Sequence, residues 1–421
     1  MINKKLRYLF ILPALVFSSH YVIAQEATKE TTVTTAAPEN PTGWDRLLRA
    51  YETRKQLPQG RLGGAQVVED SPEDLALMRA FTDANTELLQ VAHEVLKSPP
   101  HRPQQDYSEE GINSIYAFHT TVRDISRIMM QRGRVQAADG DLSGALQTDL
   151  DIVALGVGVQ RGGVVIDSLI GNALESSGRA NLRRNLPRFD ATLAREAAAR
   201  LIALDAAHLS YADTVRSEKA LNLALLKKTL NSTDWKSFRA GVDEEIEFPD
   251  TGFTKVEIDL VRATTDEDII NDVAGVIDAA IERAAQPYDN TLTPLKAPVN
   301  AASRIFAHTY LRSVQPDGRI NFERNRNSNR MLAVAFALQS YHADNREYPT
   351  SLGQLVPQYL DTIPTDPFEK NAPLRYRHTP DGYVLYSVGP DGMDNNGEPT
   401  LVETESKAVM SPDNNSHLHI K

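Results

Sequence analysis

Apolar residues recur at helical spacing from Trp44 to about Arg312, and this long run limits the fold more than any other feature. Its best-defined stretch starts at Ser71-Pro72, a capping residue followed by a proline suited to the first helical turn. One helix reaching to Pro99 accommodates the apolar positions of this stretch, which are Leu75, Met78, Phe81, Leu88, Leu89, Ala92 and Leu96. We therefore predict a mainly α-helical chain.

A short polar connection, Ala137–Asp141, separates two further predicted helices. The first runs from Ile112 to Val135 and the second begins at Leu142, so together they resemble a single tetratricopeptide-like hairpin. A period of about 34 residues does not recur around them, which argues against a repeat array. More helices are predicted at about 163–182, 190–209, 211–230, 266–285 and 297–313.

Small residues from Gly156 to Gly163 invite comparison with a dinucleotide-binding loop. The spacing of a third glycine is missing, and no strand or βαβ unit surrounds the segment. We therefore interpret these glycines as sites of close helix packing or of a kink.

The N-terminus is typical of a secretory signal peptide over residues 1–24. A basic start, an apolar stretch and a small-residue exit follow one another: Lys4, Lys5 and Arg7, then Tyr8–Phe17, then Val22–Ala24. The apolar stretch is too short to cross about 30 Å of hydrocarbon, which disfavours the alternative of a membrane anchor. We expect a periplasmic or secreted protein with no membrane span after cleavage. Residues 25–42 have almost no large apolar side chain and are predicted to be a disordered linker.

The composition excludes several classes of function. The chain has no cysteine, so disulfides, thiolate nucleophiles and Cys-ligated metals are absent. A formal charge of −11 argues against nucleic-acid binding. The ten histidines form no metalloprotease motif, and there is no nucleophile elbow or phosphate-binding loop. We predict no catalytic residue, and we interpret His93, His119 and His208 as helix-face or core residues.

The last part of the chain follows a different pattern. A helix predicted from about Asn325 to Ala343 precedes a short helix at Leu352–Val356. Two alternating runs then predict an antiparallel β-hairpin, Leu374–His378 and Gly382–Val388. A predicted turn at Pro316–Gly318 divides the chain, so we expect a helical domain over 43–315, a small α+β domain over 320–405 and a disordered tail over 406–421.

Three motifs in this C-terminal domain occur in the order found in the major pseudopilin of type II secretion systems. The domain resembles the globular domain of that family over about 80 residues. They lie at Ala337–Pro349, Pro364–Pro367 and Leu385–Gly392. In that family the loop after the last strand binds calcium, and the resemblance implies as ligands the Val388 carbonyl, Asp391, Asn396 and Glu398. The chain departs from the family at Pro399, where an acidic residue usually follows. It also lacks the family's N-terminal leader and filament helix, so we do not expect a filament subunit.

The residues of this loop suit calcium independently of the resemblance. Oxygen-bearing side chains follow one another closely, namely Asp391, Asp394, Asn395, Asn396 and Glu398. Calcium takes about six to eight oxygen ligands on a flexible loop, and Gly392 and Gly397 permit the positive φ angles that such a loop needs. The alternative is a polar turn without a metal. We predict Ca²⁺ as the cofactor.

Two functions remain open. The first is an exported, non-enzymatic binding or assembly protein with a protein or peptide partner, related through its C-terminal module to type II secretion. The second is an exported hydrolase whose active site lies in the helical domain, because catalytic groups need only meet in space.

Overall fold

The computed structural model describes residues 42–55, 71–103, 105–240, 255–289, 303, 306, 316–397 and 417–420. Within these ranges the protein is mainly α-helical with a small antiparallel sheet, as predicted. Four predicted features lie wholly or almost wholly outside the described residues: the signal peptide, the linker up to residue 41, Glu398 and nearly all of the helix at 297–313.

The helices are α1 (Gly43–Glu52), α2 (Pro72–Ala84), α3 (Thr86–Leu96), α4 (Glu109–Ala138), α5 (Leu142–Gln160), α6 (Val165–Asn185), α7 (Ala191–Ala207), α8 (Tyr211–Asn231), α9 (Thr233–Arg239), α10 (Lys255–Ala263), α11 (Asp266–Ala284) and α12 (Pro316–Asn345). Two short 3₁₀ helices lie at Leu186–Arg188 and Leu352–Leu355. The strands are β1 (Arg375–Thr379), β2 (Gly382–Tyr386) and β3 (His417–Ile420).

The single helix predicted from Ser71 to Pro99 is wrong in one respect, because it breaks at Asn85 into α2 and α3. Its start is as expected: the Ser71 hydroxyl accepts a hydrogen bond from the Asp74 amide. The break arises from a contact distant in sequence. The Asn85 side chain donates to the carbonyl oxygens of Phe81 and Lys55, and its Oδ1 accepts from the Lys55 amide at 2.9 Å.

Helices α5 and α6 approach closely through glycines, which confirms the packing interpretation of this small-residue segment. A Cβ on Gly156 would lie 2.6 Å from the carbonyl oxygen of Gly171, and a Cβ on Gly171 would lie 2.5 Å from that of Gly156. Neither position leaves room for a side chain without separating the helices.

Helix α5 is the most buried helix of the fold. By length and mean hydropathy (1.3) it qualifies as a candidate membrane span, but 72% of that window is buried inside the protein. The expectation of no membrane span after signal cleavage stays a prediction, although α5 has the length and composition of a span. Burial beneath the other helices explains why α5 is apolar on nearly every face.

The described residues form two hydrophobic cores, and the division between them does not fall at the predicted domain boundary. The first joins α1–α7 to the middle of α12 and to the C-terminal hairpin, with Phe189 against Phe336 at 5.8 Å between ring centroids. The second joins α8–α11 to Phe306 and to Phe322 in the first part of α12. Pro316–Gly318 is the first turn of α12 and not a separate loop. The module predicted over 320–405 shares the first core with the helical region, because α12 packs along α7 and α6.

The sheet has the order β1-β2-β3, with both pairs antiparallel. The predicted hairpin is confirmed, with Thr379 opposite Gly382 across the turn. Four residues of the predicted disordered tail, 417–420, form β3 against β2. The rest of that tail lies beyond the part of the chain that the structure describes.

Candidate functional site

The loop that follows β2 is the predicted calcium site, and its backbone curls tightly. Gly389, Gly392, Asn396 and Gly397 all have positive φ angles, between 54° and 82°. The two glycines named in the sequence prediction are among them. At Gly397 a Cβ would lie 2.8 Å from a Val384 methyl carbon, so the loop returns onto the sheet there.

The acidic side chains of this loop bind its own backbone. Asp391 Oδ1 accepts from the Met393 amide at 3.1 Å, and Asp394 Oδ1 accepts from the Asn396 amide at 2.8 Å. Asp394 Oδ1 also accepts from the Tyr386 hydroxyl at 3.0 Å, which ties the loop to β2. The two contacts with backbone amides are Asx turns, which the alternative of a polar turn without a metal predicts.

The fit of the described residues to calcium is partial. The donor atoms are all oxygens and the backbone is curled, as calcium requires. Against this, Arg375 Nε lies 4.0 Å from Asp394 Oδ2 and brings a positive charge to that carboxylate. Within the described ranges no three His, Asp or Glu side chains lie close enough to share a metal ion, and Glu398 falls just beyond them. The calcium site stays a prediction.

Asp366 anchors the start of the same loop, although its sequence pattern predicted no such role. Its carboxylate accepts from the amides of Phe368 at 3.0 Å and Val388 at 2.9 Å, and the residue is fully buried. Burial raises the pKa of Asp366, although these two amides act in the opposite direction. The Pro-x-Asp-Pro spacing was its only signal in the sequence. Val388, a predicted ligand, is thus held at the sheet end by its amide.

A buried carboxylate, Glu175, is the centre of the largest polar network of the helical region. Five side chains donate to it: Gln160, Arg179, His208, Asn325 and Asn329. Burial opposes its charge, but the positive His208 and Arg179 together with these bonds lower the pKa of Glu175. The same pairing raises the pKa of His208 against its own desolvation. Because Asn325 and Asn329 belong to α12, the network joins α12 to α6.

A second buried carboxylate, Asp167, caps the start of α6. It accepts from the Val164 amide at 2.8 Å, from the Arg102 guanidinium, and lies 2.6 Å from His119 Nε2. Asp167 is fully buried, and His119 is 4% exposed. His119 and His208 are therefore core residues, as the sequence analysis expected, and their carboxylate partners have no access to a substrate.

His93 differs from these two histidines because its ring reaches the surface. Its Nδ1 lies 2.8 Å from Asp151 Oδ2, and the imidazole is 35% exposed while the carboxylate is 4% exposed. Desolvation raises the pKa of Asp151 to about 6, although His93 acts to lower it. A half-exposed histidine oriented by a buried carboxylate is an arrangement that general bases use.

A shallow groove of about 580 Å³ lies on the C-terminal part of the protein. Two short segments and one side chain line it: 350–353, 372–376 and Ile363. Its surface is more apolar than polar, and it contains no histidine or carboxylate. This groove suits binding better than acid–base chemistry.

Comparison with known proteins gives no relative: no family model, no curated protein and no solved structure matches this chain.

Proposed function

We propose that this chain is an exported, non-enzymatic binding or assembly protein whose C-terminal module is pseudopilin-like and depends on calcium. In this proposal the helices, including the tetratricopeptide-like hairpin of α4 and α5, form the scaffold. The hairpin β1–β2 and the loop after it form the surface that meets a protein or peptide partner in the periplasm or outside the cell.

The observation that carries the proposal is the burial of two histidine-paired carboxylates inside the helical region. Glu175 and Asp167, the two carboxylates that contact buried histidines, are fully buried and surrounded by donors from the protein itself. Such groups fix the arrangement of helices and cannot reach a substrate. The apolar groove, by contrast, opens at the surface of the C-terminal module.

The role proposed for calcium is to stiffen the loop next to that surface. Asp391, Asp394 and Glu398 carry like charges that repel one another, and a divalent cation removes this repulsion. Arg375 couples the loop to β1, because it pairs with Glu369 and approaches Asp394. Calcium binding then orders the strand edge that a partner contacts.

A pull-down from periplasmic extract of the native host tests the binding function. Immobilised mature chain with calcium is expected to recover a specific partner, and chelator is expected to reduce the recovery. The matched control is bait carrying Asp391→Ala. Recovery of nothing above an empty matrix, in calcium and in chelator alike, contradicts the proposal.

One observation favours the rival function, an exported hydrolase: the His93–Asp151 pair described above. If this pair is a general base, a panel of ester, peptide and glycoside substrates gives turnover that His93→Ala and Asp151→Asn both abolish. His342→Ala, which changes another half-exposed histidine, serves as the control. Equal rates for all variants exclude the pair from any turnover that is found.

A further inference from the structure

Among the described residues β1 is an edge strand of the sheet. Its outer backbone groups can be assigned from the hairpin turn. Pro380 has no N–H, so Thr379 and Gly382 must be the hydrogen-bonded pair that closes the turn. The alternation then directs the backbone groups of Arg375, Arg377 and Thr379 toward β2. Those of Tyr376 and His378 point away from the sheet.

A hydrogen bond on that outer side confirms this alternation. The Leu374 amide donates to the Pro364 carbonyl oxygen at 3.2 Å, and Thr365 forms a bridge with Pro373. This short pairing covers the start of the outer edge and ends there. Beyond Leu374, no backbone hydrogen bond links the outer edge of β1 to another described segment. Tyr376 and His378 thus offer two N–H groups and two carbonyl oxygens to an added strand.

The side chains of β1 indicate which kind of peptide strand can pair with its outer edge. Arg375, Arg377 and His378 are exposed along the edge, in a chain whose total charge is −11. On one face, Arg375 and Arg377 lie toward the loop after β2, where Arg377 donates to the Asn396 carbonyl oxygen. On the other face, Tyr376 borders the apolar groove together with Leu352.

We propose that the outer edge of β1 is a docking site for an extended acidic peptide of a partner protein, which adds to the sheet beside β1. This inference rests on the proposed binding function and names the chemistry of its partner. Side chains of an added strand lie on the same faces as those of their neighbours. In the bound peptide, acidic residues therefore alternate with apolar ones. The acidic side chains lie beside Arg377, and the apolar side chains lie toward the groove at Tyr376.

Charge disfavours a second copy of this chain as the occupant. If two β1 strands paired antiparallel with Tyr376 of one copy opposite His378 of the other, Arg377 would lie opposite Arg377 of the second copy. Like charges that face each other across a strand pair are destabilising. An acidic partner meets no such repulsion, and its carboxylates can pair with Arg377.

The test measures binding of a fluorescent acetylated (Glu-Val)₃ peptide to the full mature chain by anisotropy, with (Lys-Val)₃ as the charge control. The (Glu-Val)₃ peptide is expected to bind and the lysine peptide at least about tenfold more weakly. His378→Pro removes one outer N–H and no bond to β2, so it should weaken binding about tenfold or more while the melting temperature stays close to wild type. The matched control His378→Ala keeps that N–H and should bind within about twofold of wild type.

Charge variants complete the test. Arg377→Glu is expected to weaken (Glu-Val)₃ binding about tenfold, whereas Lys370→Glu, at an exposed position outside β1, leaves it within about twofold. Equal binding of both peptides, or undiminished binding to His378→Pro, overturns the proposal. So does sedimentation that shows a wild-type dimer lost in His378→Pro, because the occupant is then a second copy. If His378→Pro bait still captures a partner in the pull-down, this inference fails while the binding function stands.

Discussion

The replacement of Asp149 by asparagine tests whether a buried carboxyl of α5 destabilises the fold when it is charged. Asp149 is 1% exposed; its Oδ1 accepts from Asn181 at 3.0 Å, and its Oδ2 has no hydrogen-bond partner among the described residues. Desolvation therefore raises its pKa from 3.8 to about 7, although Asn181 and Arg184 act to lower it. The protonated carboxyl is the form that the folded protein prefers.

The magnitude follows from the difference between the folded and unfolded pKa values. Each pH unit corresponds to about 1.4 kcal/mol, so ionisation costs the folded state about 4 kcal/mol once the pH exceeds 7. The favourable contribution of the protonated carboxyl is complete below about pH 4 and is lost as the pH rises from about 4 to 7. Asparagine keeps the acceptor for Asn181 and carries no charge, but its amide N–H groups cost about 1–3 kcal/mol if they find no acceptor.

Urea denaturation of wild type and Asp149→Asn across about pH 4.5 to 8 measures this effect. The free energy of unfolding of the variant, relative to wild type, is expected to rise with pH and to favour the variant by about 1–3 kcal/mol at pH 8. Asp361→Asn, at an exposed position, is the control and should show no such trend. A difference that does not change with pH refutes the reasoning.

Three further variants test the packing and the polar anchors by chemical denaturation and hydrogen exchange. Gly156→Ala should destabilise the protein by about 1–3 kcal/mol through overpacking. Its control is Gly275→Ala, whose added Cβ meets no atom within 4 Å and which should stabilise the protein by about 0.5–1 kcal/mol. Equal effects of the two substitutions contradict the close approach of α5 and α6. Glu175→Ala leaves buried positive groups unpaired and should cost about 3–5 kcal/mol, so a loss below about 1 kcal/mol would disprove its central position. Asp366→Ala should speed hydrogen exchange at the Val388 amide, and unchanged exchange would show that the loop is anchored elsewhere.

Local signals in the sequence predicted the elements whose causes are local. The cap at Ser71 places the start of α2, and the hairpin turn at Pro380 places β1 and β2. The small residues that begin at Gly156 predicted close helix packing, because a glycine in a helix leaves room for a neighbouring backbone. In each case the deciding contact lies within a few residues or follows from the residue type itself.

Contacts between residues distant in sequence decided the rest. The break at Asn85 depends on Lys55, and the network of Glu175 depends on Asn325, about 150 residues away. The periodicity of a helix shows that one face is apolar but not which polar side chains will meet inside the core. For the same reason the turn residues Pro316–Gly318 suggested a boundary, although they form the first turn of α12, which contributes residues to both cores.

For the loop after β2, the sequence predicted the curled backbone but not the way its acids are used. Asx–Gly spacing indicated positive φ angles, and Gly392 and Gly397 have them. The ties of Asp394 to Tyr386 and of Asp366 to Val388 required the sheet to be in place. Because these contacts hold the loop end, we expect calcium binding to appear as a gain in stability.

Melting curves of the full mature chain in calcium and in chelator test the calcium-dependent binding proposal most directly. The full chain is required because the C-terminal module shares its core with the helices. Extracellular sites often bind calcium at about 0.1–1 mM, so about 10 mM should stabilise the protein by about 1.4–2.7 kcal/mol and raise its melting temperature, while magnesium does so poorly. Asp391→Ala should lose most of this calcium-induced rise and Asp394→Ala less of it. Identical wild-type curves in calcium and in chelator would contradict the account and leave the loop as an acidic turn.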